Sequence, residues 1–339
     1  MGMKYQLLGS SGLRVSELAL GAMTFGMDGW GADKDESRSV YDGFREAGGN
    51  FIDSANVYSG GRSESFLGEF IAKDRDTVVL ATKYSIPTRG HDVNASGNSR
   101  KNMMESVHAS LKRLDTDFID LYWVHFKDHT TPVEEIMRGL DDLVSQGKVL
   151  YVGISDAPAW QVARANTIAD FRGWTRFVGL QVRYSLLERD VEHELLPMAR
   201  ALDLTVTPWD ALGSGVLTGK HNAEPTDVAA DGGRRATLRG DIPERSLAIA
   251  AEVVAVAKEI GCTPAQLALA WVRGADAQIV PLVGARTRSQ LDDNLGCLGV
   301  SVSDEHRARL DAVSATRVPF PQNMINPMAS SSIVTHRSI

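Results

Sequence analysis

The 339-residue chain has few cysteines and no long apolar run. Its two cysteines, Cys262 and Cys297, do not have the spacing of metal ligands, and burial as small hydrophobic side chains is the simpler expectation for both. No apolar stretch approaches the length that spans a bilayer, and the N-terminus does not resemble a leader peptide. We therefore expect a cytoplasmic protein without structural disulfides or membrane spans.

The motifs of several common sites are also missing. The sequence contains no His-x-His pair, no His-Glu-x-x-His and no cysteine cluster, so we expect no metal centre. No Gly-x-Gly-x-x-Gly follows a predicted strand, which argues against the main alternative fold, an open doubly wound sheet. The formal net charge of −7 argues against general nucleic-acid binding, although a local basic patch for a phosphorylated ligand remains open.

The composition is that of a soluble globular chain, since 43% hydrophobic residues supply a sizeable core. Short apolar segments alternate with helical patterns, and each strand-helix unit takes roughly 25–35 residues, the usual length of a βαβ repeat. The predicted strands cover residues 18–23, 51–54, 77–83, 119–125, 149–154, 177–182, 204–209 and 279–284. About eight strands that alternate with helices predict an α/β fold, a closed (β/α)8 TIM barrel.

The intervening segments complete the predicted architecture. Residues 4–15 alternate weakly around a Gly/Ser turn, which predicts an N-terminal β-hairpin. Residues 213–244 lack a period and are too long for an ordinary connection, so we expect a long functional loop on the C-terminal face. The predicted helices cover residues 33–48, a segment from 63, 99–114, 132–146, 159–170, 191–203, 245–260, 264–274, 287–297 and 303–315. We expect a single domain over 1–316 and a tail over 317–339.

Four chemically useful side chains follow three successive predicted strands. Asp53 and Tyr58 lie at and just beyond the end of one strand, Lys83 ends the next, and His125 ends the third. In a barrel of this kind, active sites are built at the C-terminal ends of the strands, so we expect these side chains to converge. Each alone has a simple structural explanation, such as a helix cap or a surface position, but together they predict a catalytic site.

The four side chains suit proton transfer to a carbonyl group. A tyrosine hydroxyl is a poor acid at neutral pH, but it donates a proton to a developing oxyanion if an ammonium stabilises the phenolate. Lys83 supplies that charge, Asp53 holds Lys83 in place, and His125 either orients the carbonyl or shares in the proton transfer. The set has no electron source, and a bound hydride donor is the simplest completion.

Longer motifs show a resemblance that covers nearly the whole chain. They include Leu20-Gly-Ala-Met-Thr-Phe-Gly26, Asp53-Ser-Ala-Asn-Val-Tyr58, Gly61-Arg-Ser-Glu64, Asp120-Leu-Tyr-Trp-Val-His125, Gly213-Ser-Gly-Val-Leu-Thr-Gly-Lys220 and the segment from Pro281 to Asn294. On these motifs the chain resembles the aldo-keto reductase superfamily, the barrel-fold NAD(P)H-dependent carbonyl reductases. The resemblance implies a reductase of aldehydes or ketones in which Asp53, Tyr58, Lys83 and His125 form the catalytic tetrad and Tyr58 is the general acid.

The same resemblance implies the cofactor contacts. Ser155 and Gln181 are expected at the nicotinamide carboxamide, Trp209 near the nicotinamide-bearing half, and the turn from Leu212 with Lys220 at the pyrophosphate, where free backbone N–H groups bind anions. The full implied set is Ala22, Met23, Asp53, Ser155, Asp156, Gln181, Trp209, Asp210, Leu212, Gly213, Ser214, Gly215, Lys220, Arg235, Gly284, Arg286, Gln290, Asp293 and Asn294.

Cofactor preference rests on arginines. Arg235, Arg286 and Arg288 are candidates for a clamp on a 2′-phosphate, which favours NADPH over NADH, because guanidinium pairs bidentately with phosphate. The alternative for Arg288 is a solvated surface position. The chain departs from the family pattern at Asp156, where many relatives have Asn, and at Asp210-Ala211, where many have Ser-Pro. An acid close to the cofactor weakens anion binding or reshapes the pocket, so these two contacts stay open.

Substrate and function leave alternatives open. A small-molecule carbonyl compound is the expected substrate, and an imine or a sugar carbonyl is not separated from it. A different class within the superfamily comprises relatives of channel β-subunits, in which a cofactor-bound barrel mainly serves a partner protein. Candidate pocket walls are aromatic, although core or surface packing is an equally good explanation for most of them. They are Phe25, Trp30, Tyr84, Phe126 and Trp160.

Overall fold

Eight parallel strands surround a common axis and form a nearly closed barrel. The computed structural model describes residues 2–90, 92–222 and 242–329, with side chains described as far as residue 326. The strands occur in the order β10, β3, β4, β5, β6, β7, β8 and β9 around the barrel. They are β3 (Ala19–Gly21), β4 (Phe51–Asp53), β5 (Val79–Tyr84), β6 (Ile119–Val124), β7 (Val149–Ser155), β8 (Phe177–Arg183), β9 (Thr205–Trp209) and β10 (Leu282–Gly284). The predicted (β/α)8 fold is confirmed.

The barrel closes between β9 and the segment just before β10, through two backbone hydrogen bonds. The backbone N–H of Val206 donates to the carbonyl of Gln278 at 2.8 Å, and that of Val280 donates to the carbonyl of Val206 at 2.9 Å. Strand β10 covers less than the predicted 279–284 because Pro281 has no N–H to donate to a ladder. Its carbonyl still accepts from the N–H of Ala19 at 3.0 Å, which joins this segment to β3.

One indole fills much of the barrel interior. Trp123 on β6 is completely buried. A Cβ atom placed on Gly153 of β7 lies 2.3 Å from the Trp123 ring, and one placed on Gly179 of β8 lies 2.8 Å from it. Real Cβ contacts are never this short, so glycine at both positions is required by the indole. Strands β7 and β8 therefore each contain a glycine because a larger side chain would clash with the indole.

The predicted hairpin closes the N-terminal end of the barrel. Strands β1 (Tyr5–Leu7) and β2 (Arg14–Ser16) pair antiparallel, and Leu8 and Val15 join the buried cluster that contains Trp123. Gly9 has φ 54°, and its N–H donates to Thr205 Oγ1 at 2.6 Å. A Cβ atom there lies 2.2 Å from a backbone oxygen, so only glycine allows this close approach.

Helices cover the outside of the barrel. In the described ranges they are α1 (Lys34–Glu46), α2 (Arg62–Ile71), α3 (Arg100–Leu114), α4 (Val133–Ser145), α5 (Ala159–Arg172), α6 (Leu195–Ala201), α7 (Glu244–Ile260), α8 (Pro264–Arg273), α9 (Arg288–Leu295), α10 (Asp304–Ser314) and α11 (Gln322–Ala329). Side chains of Asp33, Ser99 and Thr263 accept from N–H groups of the first turns of α1, α3 and α8, which sets where those helices begin. None of these helices has the length and apolar character needed to cross a bilayer.

Three predicted segments differ in detail. The helix expected over 191–203 is divided into a 3₁₀ turn (Asp190–Glu192) and α6, because Pro197 has no N–H and fits only the first turn of a helix. The long loop over 213–244 begins with a 3₁₀ turn (Gly213–Thr218), and its residues 223–241 lie outside the described residues. The predicted tail includes helix α11.

Candidate active site

A cavity of about 780 Å³ opens at the C-terminal ends of the barrel strands. Its walls come from the ends of β3, β4, β7, β8, β9 and β10, from the loops that follow them, and from one side of α8. Asp53, Tyr58 and His125 line it, and so do Gly284, Arg286 and Gln290. One cavity therefore contains three of the predicted catalytic side chains and several of the predicted cofactor contacts.

A buried ion pair lies behind the catalytic end of the cavity. Asp53 ends β4 and Lys83 is next to last in β5, and their side chains are 2% and 0% exposed. The Lys83 ammonium donates to the Asp53 carboxylate, and to the carbonyl of Ser54 at 2.7 Å. Burial lowers the pKa of Lys83 and is the largest single effect, but the charge of Asp53, the neighbouring Tyr58 and the hydrogen bonds to both together outweigh it, so the net pKa is raised. Lys83 is thus a cation at neutral pH.

Tyr58 presents its hydroxyl to this cation. Lys83 Nζ lies 3.2 Å from Tyr58 Oη and 4.8 Å from the centre of the phenol ring. The ring is held on a 3₁₀ turn (Tyr58–Gly61), in which Ser59, Gly60 and Gly61 have φ of 53°, 65° and 94°. Glycine adopts this left-handed backbone without cost, and so the sharp turn between β4 and α2 forms here. Tyr58 lines the cavity, whereas Lys83 lies behind it.

His125 packs against the phenol as a neutral imidazole. The two rings meet edge to face, with centres 5.9 Å apart and planes at 84°. Burial, and then the charge of Lys83, lower the pKa of His125 to about 3, so the ring is uncharged at neutral pH. Within the described residues its Nδ1 atom is buried and has no hydrogen-bond partner. A neutral imidazole orients a carbonyl oxygen by hydrogen bonding, which is one of the two predicted roles.

Two polar side chains lie beside the ion pair. Ser155 at the end of β7 and Gln181 on β8 are partners in the sheet register, and both line the cavity. Gln181 Nε2 donates to Asp53 Oδ1 at 3.3 Å. Side chains that donate and accept at one edge of a cavity suit a carboxamide, which has both kinds of group. These residues therefore fit the predicted nicotinamide end.

A glycine-rich turn forms the next part of the wall. Gly213, Ser214 and Gly215 have φ of 56°, 54° and 90°. Their backbone N–H groups are used within the turn, because they donate to the carbonyl of Asp210, the Asp210 carboxylate and the carbonyl of Leu212, respectively. Leu212, Ser214, Gly215 and Lys220 line the cavity here, while Gly213 is buried beneath it. The free N–H groups expected at these three positions are therefore absent in the described structure, and the Lys220 ammonium is the group suited to a pyrophosphate.

Asp210, one of the two departures from the family pattern, supports this turn. Its Oδ1 atom accepts from the N–H of Ser214 at 2.5 Å, and its Oδ2 atom accepts from Arg183 Nε at 3.0 Å. The carboxylate side chain is 3% exposed and paired with a guanidinium, so its charge is balanced. The other departure, Asp156, has φ 44°, a left-handed conformation that Asp and Asn both tolerate.

Strand β10, helix α9 and the loop between them form another part of the cavity wall. Gly284, Arg286, Gln290, Asp293 and Asn294 line it. Asn294 Nδ2 donates to the carbonyl of Gly284 at 3.1 Å, and Gln290 Oε1 accepts from the N–H of Arg286 at 2.9 Å. The family resemblance assigns Arg286 to the adenosine end of the cofactor, together with Gly284, Gln290 and Asn294. Arg286 lines the same cavity as Tyr58, and its contact with adenosine stays a prediction.

Of the other two clamp candidates, the structure describes Arg288. Arg288 is not a lining residue, and its guanidinium pairs with Glu46 at 2.7 Å and with Asp292 at 2.9 Å on the surface. The surface alternative therefore describes Arg288. Arg235 lies outside the described residues.

The remaining predicted residues divide between wall and core. Met23 lines the cavity, while Ala22 is buried behind it. Of the five aromatic candidates, Trp30 is a lining residue. Phe25 and Tyr84 are fully buried core residues, and Trp160 is 61% exposed on α5. Phe126 does not line the cavity.

The prediction missed several wall residues. Thr24 and Ile86 follow β3 and β5, and this position after a strand end is a signal that could have identified them. Ala265 and Leu269 come from α8, where the sequence indicates only the buried face of an amphipathic helix. Within the described residues there is no cluster of three or more His, Cys, Asp or Glu side chains that could hold a metal ion.

Comparison with known proteins agrees with this geometry. Residues 17–315 match the family described as the aldo/keto reductase family. The chain belongs to the aldo/keto reductase family. It is an oxidoreductase of the carbonyl-reducing kind, and the family uses a nicotinamide cofactor, NADH or NADPH.

Several curated relatives are similar over most of their length. Norsolorinic acid reductase stcV of Emericella nidulans is 41% identical over 322 residues, 92% of this chain and 81% of the relative. Aryl-alcohol dehydrogenase [NADP(+)] of Phanerodontia chrysosporium is 37% identical, over 98% of this chain and 91% of the relative. Aldo-keto reductase ausK of Aspergillus calidoustus is 36% identical, over 95% and 85%. These names are those of enzymes, which favours catalysis over the role of a channel β-subunit.

Proposed function

We propose that this aldo/keto reductase family member reduces aryl aldehydes or aryl ketones with NADPH, with Tyr58 as the general acid. The observation that supports the proposal most directly is the contact between Tyr58 Oη and Lys83 Nζ, at 3.2 Å, at the wall of a large cavity.

The charge of Lys83 explains how Tyr58 transfers a proton in this proposal. As a carbonyl oxygen becomes negative, Tyr58 Oη donates its proton to that oxygen and becomes a phenolate. The Lys83 ammonium, held by Asp53 and by the carbonyl of Ser54, stabilises the phenolate from behind. Because Lys83 is fully buried, its charge is poorly screened by solvent, so it acts strongly over 3.2 Å.

His125 has a separate task in this proposal. Its neutral imidazole lies on the cavity side of Tyr58 and donates a hydrogen bond to the carbonyl oxygen, which directs that oxygen toward the phenol. An uncharged ring orients the substrate without adding a second positive charge beside Lys83. We therefore place proton transfer on Tyr58 and orientation on His125.

NADPH, when bound, supplies the hydride that completes the reduction. The residues fit this cofactor along the whole cavity. Ser155 and Gln181 suit the carboxamide, Lys220 beside the glycine-rich turn suits the pyrophosphate, and Arg286 suits a 2′-phosphate. The name of one similar protein, aryl-alcohol dehydrogenase [NADP(+)], supports the same preference.

The substrate class is inferred from the apolar part of the cavity wall. Met23, Trp30 and Ile86 lie in the loops after β3 and β5, and they contribute apolar and aromatic surface to the cavity that Tyr58 also lines. A flat aromatic ring attached to the carbonyl buries its faces against such a wall, whereas a sugar has many hydroxyl groups that need polar partners. The aryl-alcohol dehydrogenase among the similar proteins supports the same class.

The test is NADPH oxidation, followed by absorbance, with matched panels of aryl aldehydes, aryl ketones, imines and sugars. We expect turnover with the aryl carbonyl compounds, and a loss of kcat of about 10²- to 10⁴-fold in Tyr58→Phe, because removing a general acid typically costs that much. NADPH affinity is expected to stay unchanged in this variant. Absence of turnover above Tyr58→Phe for every substrate contradicts the proposal.

Tyr122→Phe is the matched control for the same chemical change. Tyr122 is buried in the core, lies outside the cavity, and its hydroxyl has no hydrogen-bond partner in the described structure. Its loss is therefore expected to leave kcat within about twofold of wild type, since no interaction with the substrate is removed. If both variants lost activity equally, the effect would belong to folding and not to proton donation.

A further inference from the structure

We propose that Asp156, Arg183 and Asp210 are positioning residues that hold Trp209 as a fixed wall of the cavity and link it to the glycine-rich turn. The inference rests on the proposed function, since it concerns the binding of NADPH in that cavity. Two of the three residues are the departures from the family pattern noted in the sequence.

The indole N–H of Trp209 is held by the first of these residues. Trp209 ends β9, Asp156 follows β7, and β8 lies between these two strands. Trp209 Nε1 donates to Asp156 Oδ1 at 3.2 Å, so the two side chains meet across the end of β8, where Gln181 lines the cavity. This hydrogen bond fixes the rotation of the indole, because the ring has a single donor.

The face of the same indole is covered by Arg183. Arg183 and Trp209 are partners in the register of β8 and β9, and the guanidinium carbon lies 5.7 Å from the indole ring centre. A guanidinium over a tryptophan face is attracted by the ring electrons. Asp210 holds the guanidinium in that place, since Oδ2 accepts from Nε at 3.0 Å and from Nη2 at 2.9 Å.

Asp210 joins the indole to the predicted phosphate turn. Its Oδ2 atom is bonded to Arg183, while its Oδ1 atom accepts from the N–H of Ser214 at 2.5 Å and from Ser214 Oγ at 3.0 Å. The side chain of Asp210 is 3% exposed, so water competes little for either oxygen. A shift of the turn is therefore transmitted through one carboxylate to the guanidinium above Trp209.

The ion pair with Arg183 bears on whether Asp210 weakens the binding of an anionic cofactor. An acid close to an anionic cofactor weakens binding when its charge is unbalanced, but Asp210 is paired with Arg183. Its negative charge is used to orient a cation over Trp209 and to hold the turn in its left-handed geometry. In this proposal Asp156, Arg183 and Asp210 affect NADPH affinity by positioning Trp209 and the turn, and Asp156 and Asp210 also line the cavity.

The experiment compares Arg183→Met and Asp156→Ala with the conservative Asp156→Asn. Arg183→Met keeps an apolar stem but removes the guanidinium, and Asp156→Ala removes the acceptor of the indole N–H, whereas Asn keeps an acceptor oxygen. By isothermal titration calorimetry we expect NADPH binding to weaken about 3- to 10-fold in Arg183→Met and in Asp156→Ala, the effect of one lost hydrogen bond. Asp156→Asn is expected to stay within about twofold.

A second measurement reports on Trp209 itself. Acrylamide quenching of the fluorescence contributed by Trp209, taken as the difference from Trp209→Phe in each background, is expected to increase in Arg183→Met and Asp156→Ala. Asp156→Asn restores the wild-type value. Arg164→Met is the matched control, because Arg164 is an exposed arginine paired with Glu134 on the barrel exterior. It is expected to change neither the dissociation constant nor the quenching.

The outcomes separate this proposal from the proposed function. If wild type binds and oxidises NADPH but the Arg183 and Asp156 variants keep wild-type affinity and quenching, the positioning role is wrong and the function stands. If wild type does not bind NADPH, the proposed function itself fails. If Asp156→Asn weakens NADPH binding as much as Asp156→Ala does, the positioning role is also wrong, because the charge of Asp156 and not its hydrogen bond to Trp209 then controls binding.

Discussion

The proposed role of the Tyr58 hydroxyl as general acid depends on the positive charge of Lys83, which lies out of contact with solvent. Lys83 is fully buried, and its ammonium is compensated by Asp53, whose carboxylate also accepts from Gln181 at 3.3 Å. The spacing of these residues along the sequence predicted their convergence, because parallel strands end at one face of a barrel. The depth of the pair was not predictable, since no local pattern indicates that a lysine on a strand is enclosed on all sides.

A second buried charge fixes the turn that holds Tyr58. Glu64 lies in the first turn of α2 and is completely buried. Its Oε1 atom accepts from Thr82 Oγ1 at 2.6 Å, and its Oε2 atom accepts from Arg113 Nε at 2.7 Å. The carboxylate thus ties α2 to the strand that contains Lys83 and to α3.

Glu64→Ala is therefore expected to destabilise the fold by about 3 kcal/mol or more, because removal of one partner leaves the Arg113 guanidinium and the Thr82 hydroxyl without their acceptor in a buried place. Urea denaturation of wild type and variant gives the change in the free energy of unfolding. The control is Glu69→Ala, which removes an exposed ion pair with Lys34 and is expected to cost less than about 1 kcal/mol. Equal effects of the two variants would contradict the assignment.

At the scale of the element, strand length and hairpin geometry follow from the positions of glycine and proline. Pro281 shortens β10, and Pro197 shifts the start of α6, for the same reason, a missing N–H. The strands themselves were predicted from short apolar runs bounded by turns, and all eight are present. What the pattern did not indicate is why glycines lie inside β7 and β8, because the answer is a side chain on β6.

Gly153→Ala is expected to destabilise the barrel by about 1–3 kcal/mol, the usual cost of adding a methyl group to a packed core. Its Cβ atom lies 2.3 Å from the Trp123 ring, so the indole or the strands must move. Thermal unfolding followed by circular dichroism measures the loss. The matched control, Gly12→Ala, adds the same methyl group where no atom lies within 4 Å, and it is expected to be neutral. A neutral Gly153→Ala would mean that the barrel interior is less tightly packed than the structure indicates.

At the scale of the whole molecule, part of the cavity wall comes from segments late in the chain, namely β10, which pairs with β3, and α8. Ala265 and Leu269 reach the cavity from α8, and Val206 closes the ladder to Gln278 and Val280. Local sequence predicts that these segments are buried, but not what they face. Barrel closure is a contact between residues far apart in the chain, so it requires the structure. The motifs, by contrast, identified most of the residues that line the cavity, and the catalytic and cofactor roles assigned to them stay predictions.

Cofactor preference is a property of the molecule as a whole, because a ligand that binds the folded state raises the free energy of unfolding of the entire chain. At a hundredfold excess over its dissociation constant, NADP⁺ is expected to stabilise wild type by about 2.7 kcal/mol, and NAD⁺ at the same concentration by clearly less. Arg286 lines the cavity, and in the proposed function its guanidinium pairs bidentately with the 2′-phosphate.

Arg286→Ala is therefore expected to weaken NADP⁺ binding by about 10- to 100-fold, the effect of losing hydrogen bonds to a charged group, and to leave NAD⁺ binding nearly unchanged. Thermal shift over a concentration series of each nucleotide gives both dissociation constants. Arg288→Ala removes the same side chain two positions further on, where it pairs with Glu46 and Asp292 outside the cavity, and it is expected to leave both constants unchanged. If Arg286→Ala retained wild-type discrimination between the two nucleotides, the preference for NADP⁺ would have to come from another residue.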